Sequence, residues 1–132
     1  MSVGRGSERH VLLMDDEEDI LLPTARYFRP LGCTVDMARE PEEAEALASH
    51  RRYDLAILDL RVTRFGGAEG LEVLREIRRR DHGTSVIVLS AYISPELEKE
   101  ARALGADSVV RKPQPLPALA HLAFALMGAS GE

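Results

Sequence analysis

Five side chains in this sequence have the types needed for joint chemistry: the carboxylates of Asp15, Asp16 and Asp59, the hydroxyl of Ser90 and the ammonium of Lys112. Each stands where an apolar run stops. Val11–Met14 leads into Asp15-Asp16, Leu55–Leu58 into Asp59, Val86–Leu89 into Ser90, and Ser108–Val110 into Arg111 and Lys112. Taken singly, each has a plain structural explanation. Asp15 and Asp16 open an acidic run ahead of a helix-like stretch, where acids favour the positive end of the helix dipole and supply a cap. Asp59 alone reads as a loop carboxylate, Ser90 as a strand-end hydroxyl and Lys112 as a solvated lysine. Together they are harder to dismiss, because carboxylates held close to one another repel unless protonated or neutralised. A hard divalent cation is the simplest neutraliser of an all-oxygen cluster: Mg2+ takes a few carboxylates, keeps several waters and often completes its shell with a phosphate oxygen. Lys112 is unusual in a chain with fifteen Arg and only two Lys. A compact ammonium serves a single oxygen where a planar guanidinium fork does not fit.

Other chemistries lack their residues. His10, His50, His82 and His121 are scattered without ligand spacing, which argues against zinc, and no Ser-His-Asp or Cys-His arrangement is legible. The one cysteine, Cys33, excludes an internal disulfide and reads as a small buried hydrophobe beside Thr34 and Val35. A net charge of −5 argues against direct nucleic-acid binding, which relies on Lys and Arg neutralising phosphates. No apolar run is long enough to span a membrane, and MSVGRGSERH lacks a signal-peptide core, so a cytoplasmic protein is expected.

The elements that would position these groups alternate. Apolar segments at Val11–Met14, Thr34–Ala38, Leu55–Leu58, Val86–Leu89 and Ser108–Val110 have the length of buried strands. Between them, Glu18–Arg29, Pro41–His50, Ala68–Arg80, Pro95–Leu104 and Leu116–Met127 place apolar residues three and four apart, as in Leu71, Leu74 and Ile77. This (βα)5 pattern predicts a doubly wound α/β domain with a mostly parallel sheet between helices, whose strands' carboxyl ends share one edge. Pro41 and Ser94-Pro95 mark helix starts, and Gly105 and Gly128 mark helix ends. Pro23 should kink the first helix or delay its start. The expected organisation is one domain over 9–128, with flexible ends at 1–8 and 129–132.

Five segments together resemble the receiver domain of two-component response regulators, over residues 9–127. VLLMDDEEDI resembles that family's first strand and acidic pair, AILDLR its phosphoacceptor strand, GLEVLREIRR its third helix, VIVLSAY its hydroxyl position and LGADSVVRKP its closing Lys-Pro segment. The resemblance implies the flavodoxin-like three-layer sandwich of chemotaxis regulators, with strand order 2-1-3-4-5. It implies that Asp59 accepts a phosphoryl group from a phosphohistidine of a histidine kinase or phosphotransfer protein. It further implies Mg2+ held by Asp16, Asp59 and the Arg61 backbone carbonyl, with Asp15 acting through water. Ser90 and Lys112 would bind the phosphoryl oxygens, a cis Lys112-Pro113 bond would aim the lysine, and binding of a downstream partner would switch. Such a domain is a signalling module, not an enzyme beyond its own phosphoryl transfer.

Three departures qualify the match. Val62-Thr63 stand where the family usually has Met-Pro, and RVTRFGGAEG is about three residues longer than usual, either as a harmless surface insertion or as a modifier of access to Asp59. Val109 occupies the position of the usual switching aromatic, with Tyr92 the nearest bulky aromatic to Ser90. Gln114 follows Lys-Pro in place of an aromatic, and LPALAHLAFALM is apolar around much of its circumference, which fits either deep packing or a partner or self-association surface on the last helix. Two other classes compete: a receiver-like interaction module that signals without phosphorylation, and a Mg2+-dependent phosphatase with an Asp nucleophile. Members of the latter class resemble one another in a second Asp two residues after the first, where this chain has Arg61.

Overall fold

A computed structural model describes residues 8–62, 68–80 and 83–131. In chain order the elements are β1 (Arg9–Met14), α1 (Glu18–Phe28), a 3-10 turn (Arg29–Leu31), β2 (Cys33–Ala38), α2 (Pro41–His50), β3 (Leu55–Asp59), β4 (Arg61–Val62), β5 (Ala68–Glu69), α3 (Leu71–Arg80), β6 (Ser85–Ser90), α4 (Pro95–Ala103), β7 (Ser108–Arg111) and α5 (Leu116–Gly131). Five strands form a parallel sheet in the order β2-β1-β3-β6-β7, the expected 2-1-3-4-5 arrangement, while β4 and β5 form a separate antiparallel pair.

The two-residue period of the strands sorts the core into two faces. Leu12, Met14, Ala56, Leu58, Val86 and Val88 point one way and pack with Ala44 and Ala48 of α2, Leu74 and Ile77 of α3, and Leu97 and Ala101 of α4. Val11, Leu13, Leu55, Ile57, Ile87 and Leu89 point the other way, onto Leu21, Ala25 and Phe28 of α1 and Leu119, Ala123 and Met127 of α5. Every position of β3 and β6 is buried, which is why these segments are continuous apolar runs.

Most helix boundaries follow their local signals. Pro41 occupies the first turn of α2, and the Ser94 hydroxyl accepts from the Leu97 N–H at 3.0 Å at the start of α4. Gly105, at φ +112°, turns the chain after α4.

Three expectations are corrected. The third helix begins at Leu71, not Ala68: Ala68 and Glu69 pair with Val62 and Arg61, and Gly70 at φ +108° cannot be helical. Pro23 does not delay α1, which starts at Glu18. The helix buries Leu21, Thr24, Ala25 and Phe28, packing that outweighs a local backbone cost, and the Thr24 hydroxyl donates to the Ile20 carbonyl at 2.7 Å. Gly128 does not stop α5, which runs to Gly131, because Gly128 lacks the positive φ of a terminating glycine. The expected flexible N-terminus lies, apart from Glu8, outside the described residues, as do positions 63–67 of the lengthened loop.

The apolar circumference of α5 is largely absorbed by packing. Leu119, Ala120, Ala123 and Met127 are buried, Leu122, Phe124 and Leu126 pack at the margin, and the Phe124 ring stacks on Phe28 with centroids 6.3 Å apart. Pro117, Ala118, His121 and Ala125 face outward.

Candidate functional site

The sheet order reverses direction at β1, whose neighbours are β2 on one side and β3 on the other. A crevice at the carboxyl ends of strands is expected at such a point, and Asp15 and Asp16 come after β1 while Asp59 ends β3. The Leu60 N–H donates to the Leu89 carbonyl at 2.8 Å, holding the end of β3 against β6. Gly70 passes directly beneath: a Cβ there would lie 2.6 Å from Leu60 Cδ2 and 3.4 Å from the Asp59 carbonyl oxygen. On the far side, the Lys112 N–H donates to the Ser90 carbonyl at 2.9 Å, and the Lys112-Pro113 bond is cis, as expected.

These constraints bring the predicted side chains together. Oxygens of Asp15, Asp16 and Asp59 lie within 4.8 Å of one another. Lys112 Nζ lies 3.0 Å from Asp15 Oδ2, 3.1 Å from Asp59 Oδ1 and 3.3 Å from Glu17 Oε1. Asp15 and Asp59 are buried, whereas Asp16 is exposed. Asp15 does not cap α1, whose N-cap Glu17 has no side-chain cap bond; its Oδ1 instead accepts from the Glu17 N–H at 2.9 Å, an Asx turn ahead of the helix. Its Oδ2 is buried without an aligned hydrogen bond, so its contact with Lys112 is an ion pair only.

One lysine cannot balance this much buried negative charge. Burial raises the Asp59 carboxyl to about 6; Asp15 and, less strongly, Asp16 push the same way, while Lys112 opposes them. Burial works against the Lys112 ammonium, yet the adjacent carboxylates of Asp15 and Asp59 outweigh it and raise its pKa. The donor set is all oxygen and short of positive charge, which suits a hard divalent cation. This triad is typical of a receiver metal site.

Ser90 is in the same place but turned aside. Its buried hydroxyl is 3.1 Å from the Leu60 carbonyl and 2.9 Å from the Tyr92 carbonyl, both acceptors for its single proton. The site opens on both sides of Asp59. One cavity of about 680 Å3 runs past Asp15, Asp16 and Gly70 to Glu42 and Glu72, and another of about 320 Å3 is lined by Ser90, Tyr92 and Lys112. Tyr92 stands 65% exposed at the second mouth. Val109 is half-buried and, like Leu104, packs against the cluster that includes Val86, Val88 and Ala106. Gln114 turns back to donate to the Arg111 carbonyl at 2.8 Å.

Two side-chain contacts were not foreseen. Glu17 reaches Lys112, and the Arg61 guanidinium donates to Asp16 Oδ2 in a short contact. The second had a legible signal: residues two apart on an extended strand share a side, which puts Arg61 on the side of Asp59.

A family profile described as the response regulator receiver domain matches residues 11–123. The chain belongs to that family and is a signalling module of two-component signal transduction, with Asp15, Asp16, Asp59 and Lys112 forming its acidic pocket. It is 33% identical over 114 residues to a response regulator receiver protein of Anaeromyxobacter sp., covering 86% of this chain and 47% of that one. It is 32% identical over 120 residues to the photosynthetic apparatus regulatory protein RegA of Cereibacter sphaeroides, covering 91% and 64%. The chain thus spans about half to two-thirds of these relatives. Among solved structures, a CheY-like receiver domain protein from Methanospirillum hungatei superposes with a TM-score of 0.87 at 24% identity, covering 95% of this chain and 98% of that one. A Burkholderia pseudomallei response regulator, solved with a phosphorylated aspartic acid, calcium ion and citrate, gives a TM-score of 0.78 at 24% identity, over 94% and 69%. Receiver domains interact with histidine kinases. Among the described residues no helix is long and apolar enough to cross a membrane.

Proposed function

We propose that Asp59 is the phosphoacceptor of this receiver. A carboxylate oxygen of Asp59 attacks the phosphorus of a phosphohistidine on a histidine kinase or phosphotransfer protein. The P–N bond breaks, the imidazole leaves with the bonding pair and takes up a proton, and an acyl phosphate remains on Asp59. The observation that carries this reading is the Asp59 carboxylate itself, buried, 3.1 Å from Lys112 Nζ and within 4.8 Å of the Asp15 and Asp16 oxygens. The phosphorylated aspartate of the Burkholderia protein, on the same fold, supports it.

Each neighbour has a role in that transfer. Lys112 offsets the charge arriving with the phosphoryl oxygens, close enough to act without rearrangement. Ser90 leaves the Leu60 and Tyr92 carbonyls and turns its hydroxyl to a phosphoryl oxygen. Asp16, Asp59 and the Arg61 carbonyl would hold Mg2+, with Asp15 close by to support it. The metal, when bound, spreads the negative charge of the transferring group. The change at Ser90 and the β6–α4 loop alters affinity for a downstream effector or a second copy near α5. Phosphatase turnover is disfavoured because Arg61, paired to Asp16, stands where that chemistry would need a second acid.

Incubation with acetyl phosphate and Mg2+ tests the reading by intact-mass spectrometry. A gain of one phosphoryl group, absent in Asp59→Asn, is expected. Absence of any gain would leave an interaction module that signals without phosphorylation, and its persistence in the variant would put the phosphoryl group on a residue other than Asp59.

A further inference from the structure

Arg61 has two relations to the acidic site that pull in opposite directions. Its backbone succeeds the acceptor strand closely enough to offer a carbonyl to a metal, while its guanidinium donates to Asp16 Oδ2, an oxygen of the carboxylate triad. The side chain is held there by more than the ion pair. Arg61 pairs with Glu69 across the β4–β5 ladder, Leu60 is hydrogen-bonded to Leu89, and Gly70 closes the hairpin base against Leu60 and Asp59 with no room for a Cβ. The base of the lengthened segment therefore delivers a cation to the one exposed member of the triad.

We infer that the Arg61 guanidinium is a tethered counter-ion that competes with the divalent metal for Asp16, so that metal loading is an exchange in which Arg61 must leave. This rests on the reading of the triad as a metal site. A tethered group acts at high effective concentration whatever its intrinsic affinity. Mg2+ sheds its waters reluctantly, so a competitor already seated on one of its few carboxylates weighs heavily in the balance. The pair is more than a third exposed on both sides, which keeps its strength modest and the exchange reversible. Glu72, on the wall of the same cavity, pairs with Arg75. The consequence is a receiver with a low metal affinity that rises once Arg61 is displaced, and a released guanidinium beside Tyr92 at the mouth of the cavity shared with Ser90 and Lys112.

The test compares Mn2+ binding to the full chain, its Arg61→Met variant and its Arg61→Lys variant, by the electron paramagnetic resonance signal of free Mn2+. Arg61→Met should bind about fivefold more tightly than the unmodified chain, the size expected on removing an exposed ion pair and its charge. Arg61→Lys, which keeps the charge without the fork, should fall between them. In the unmodified chain, the Arg61 Nε resonance should move with Mg2+ occupancy as the guanidinium leaves Asp16. Equal affinities in the chain and Arg61→Met, or an Arg61 resonance indifferent to Mg2+, would overturn the exchange while leaving the metal site standing. Failure of every form to bind Mn2+ would overturn both readings.

Discussion

At the amino edge of the sheet, charged and hydroxyl groups are matched to partners; at the carboxyl edge they are matched to one another's disadvantage. On the amino side, Arg78 donates to the Gly105 carbonyl at 2.7 Å and the Thr84 carbonyl at 2.6 Å and pairs with Asp107 at 3.0 Å. The Asp107 carboxylate also accepts the Val86 N–H, Thr84 donates to the Tyr53 carbonyl, and the Tyr53 hydroxyl donates to Asp36. On the carboxyl side, the buried Asp15 and Asp59 share one lysine, and Asp15 Oδ2 is the one buried side-chain oxygen or nitrogen among the described residues without a hydrogen bond. The amino edge also has a cavity, about 450 Å3, lined by Arg51, Arg52, Arg80 and Tyr53. Cavity size does not separate the two edges. Satisfied polar networks stabilise a fold, whereas like charges held together mark a functional site.

The contrast is broken most completely by Asp59→Asn. This variant should fold and lose all phosphoryl incorporation from acetyl phosphate, read by intact mass. Lys112→Met should slow incorporation about a hundredfold by removing a preorganised cation, measured by rates of mass gain at saturating Mg2+.

A stability measurement tests the same charge imbalance. The Asp59 carboxyl is raised from 3.8 to about 6, so folding favours its protonated form, and this contribution is fully present below about pH 4 and lost as pH rises through about 6. In metal-free buffer, Asp59→Asn should therefore be more stable than the unmodified chain at pH 7, by about 2–3 kcal/mol. The difference should close near pH 4; urea unfolding across that range reads it, and a gap independent of pH would refute the assignment.

The amino edge should answer differently. Arg78→Ala strands the Gly105 and Thr84 carbonyls and the partly exposed Asp107, costing about 2 kcal/mol in urea. Its phosphoryl incorporation, assayed well below its melting temperature, should match that of the unmodified chain. A large loss of incorporation there would mean that the two edges are coupled.

Much of this comparison was legible in the residues alone. Continuous apolar runs at Leu55–Leu58 and Val86–Leu89 betray strands buried on both faces, and the residues just past the ends of such parallel strands must lie on one edge. That logic found Asp15, Asp16, Asp59, Ser90 and Lys112 without coordinates. The β4–β5 pair was hidden because two-residue strands joined through backbone hydrogen bonds leave no side-chain period. Arg78 was hidden because two of its acceptors are main-chain carbonyls, one of them 27 residues away, and any sequence supplies carbonyls. Pro23 does not delay α1 because local propensity is weak against the burial of Leu21 and Phe28.

The sequence by itself determined the (βα)5 alternation, the two-faced core and the set of groups gathered at the carboxyl edge, since these come from hydrophobic period and chain order. Only the tertiary structure decided which oxygen meets which cation. Lys112 bridges Asp15 and Asp59, Ser90 turns to backbone carbonyls, and Arg61 claims Asp16. Those pairings depend on distances of a few ångströms between residues far apart in the chain, where charge interactions are strongest and sequence period says nothing.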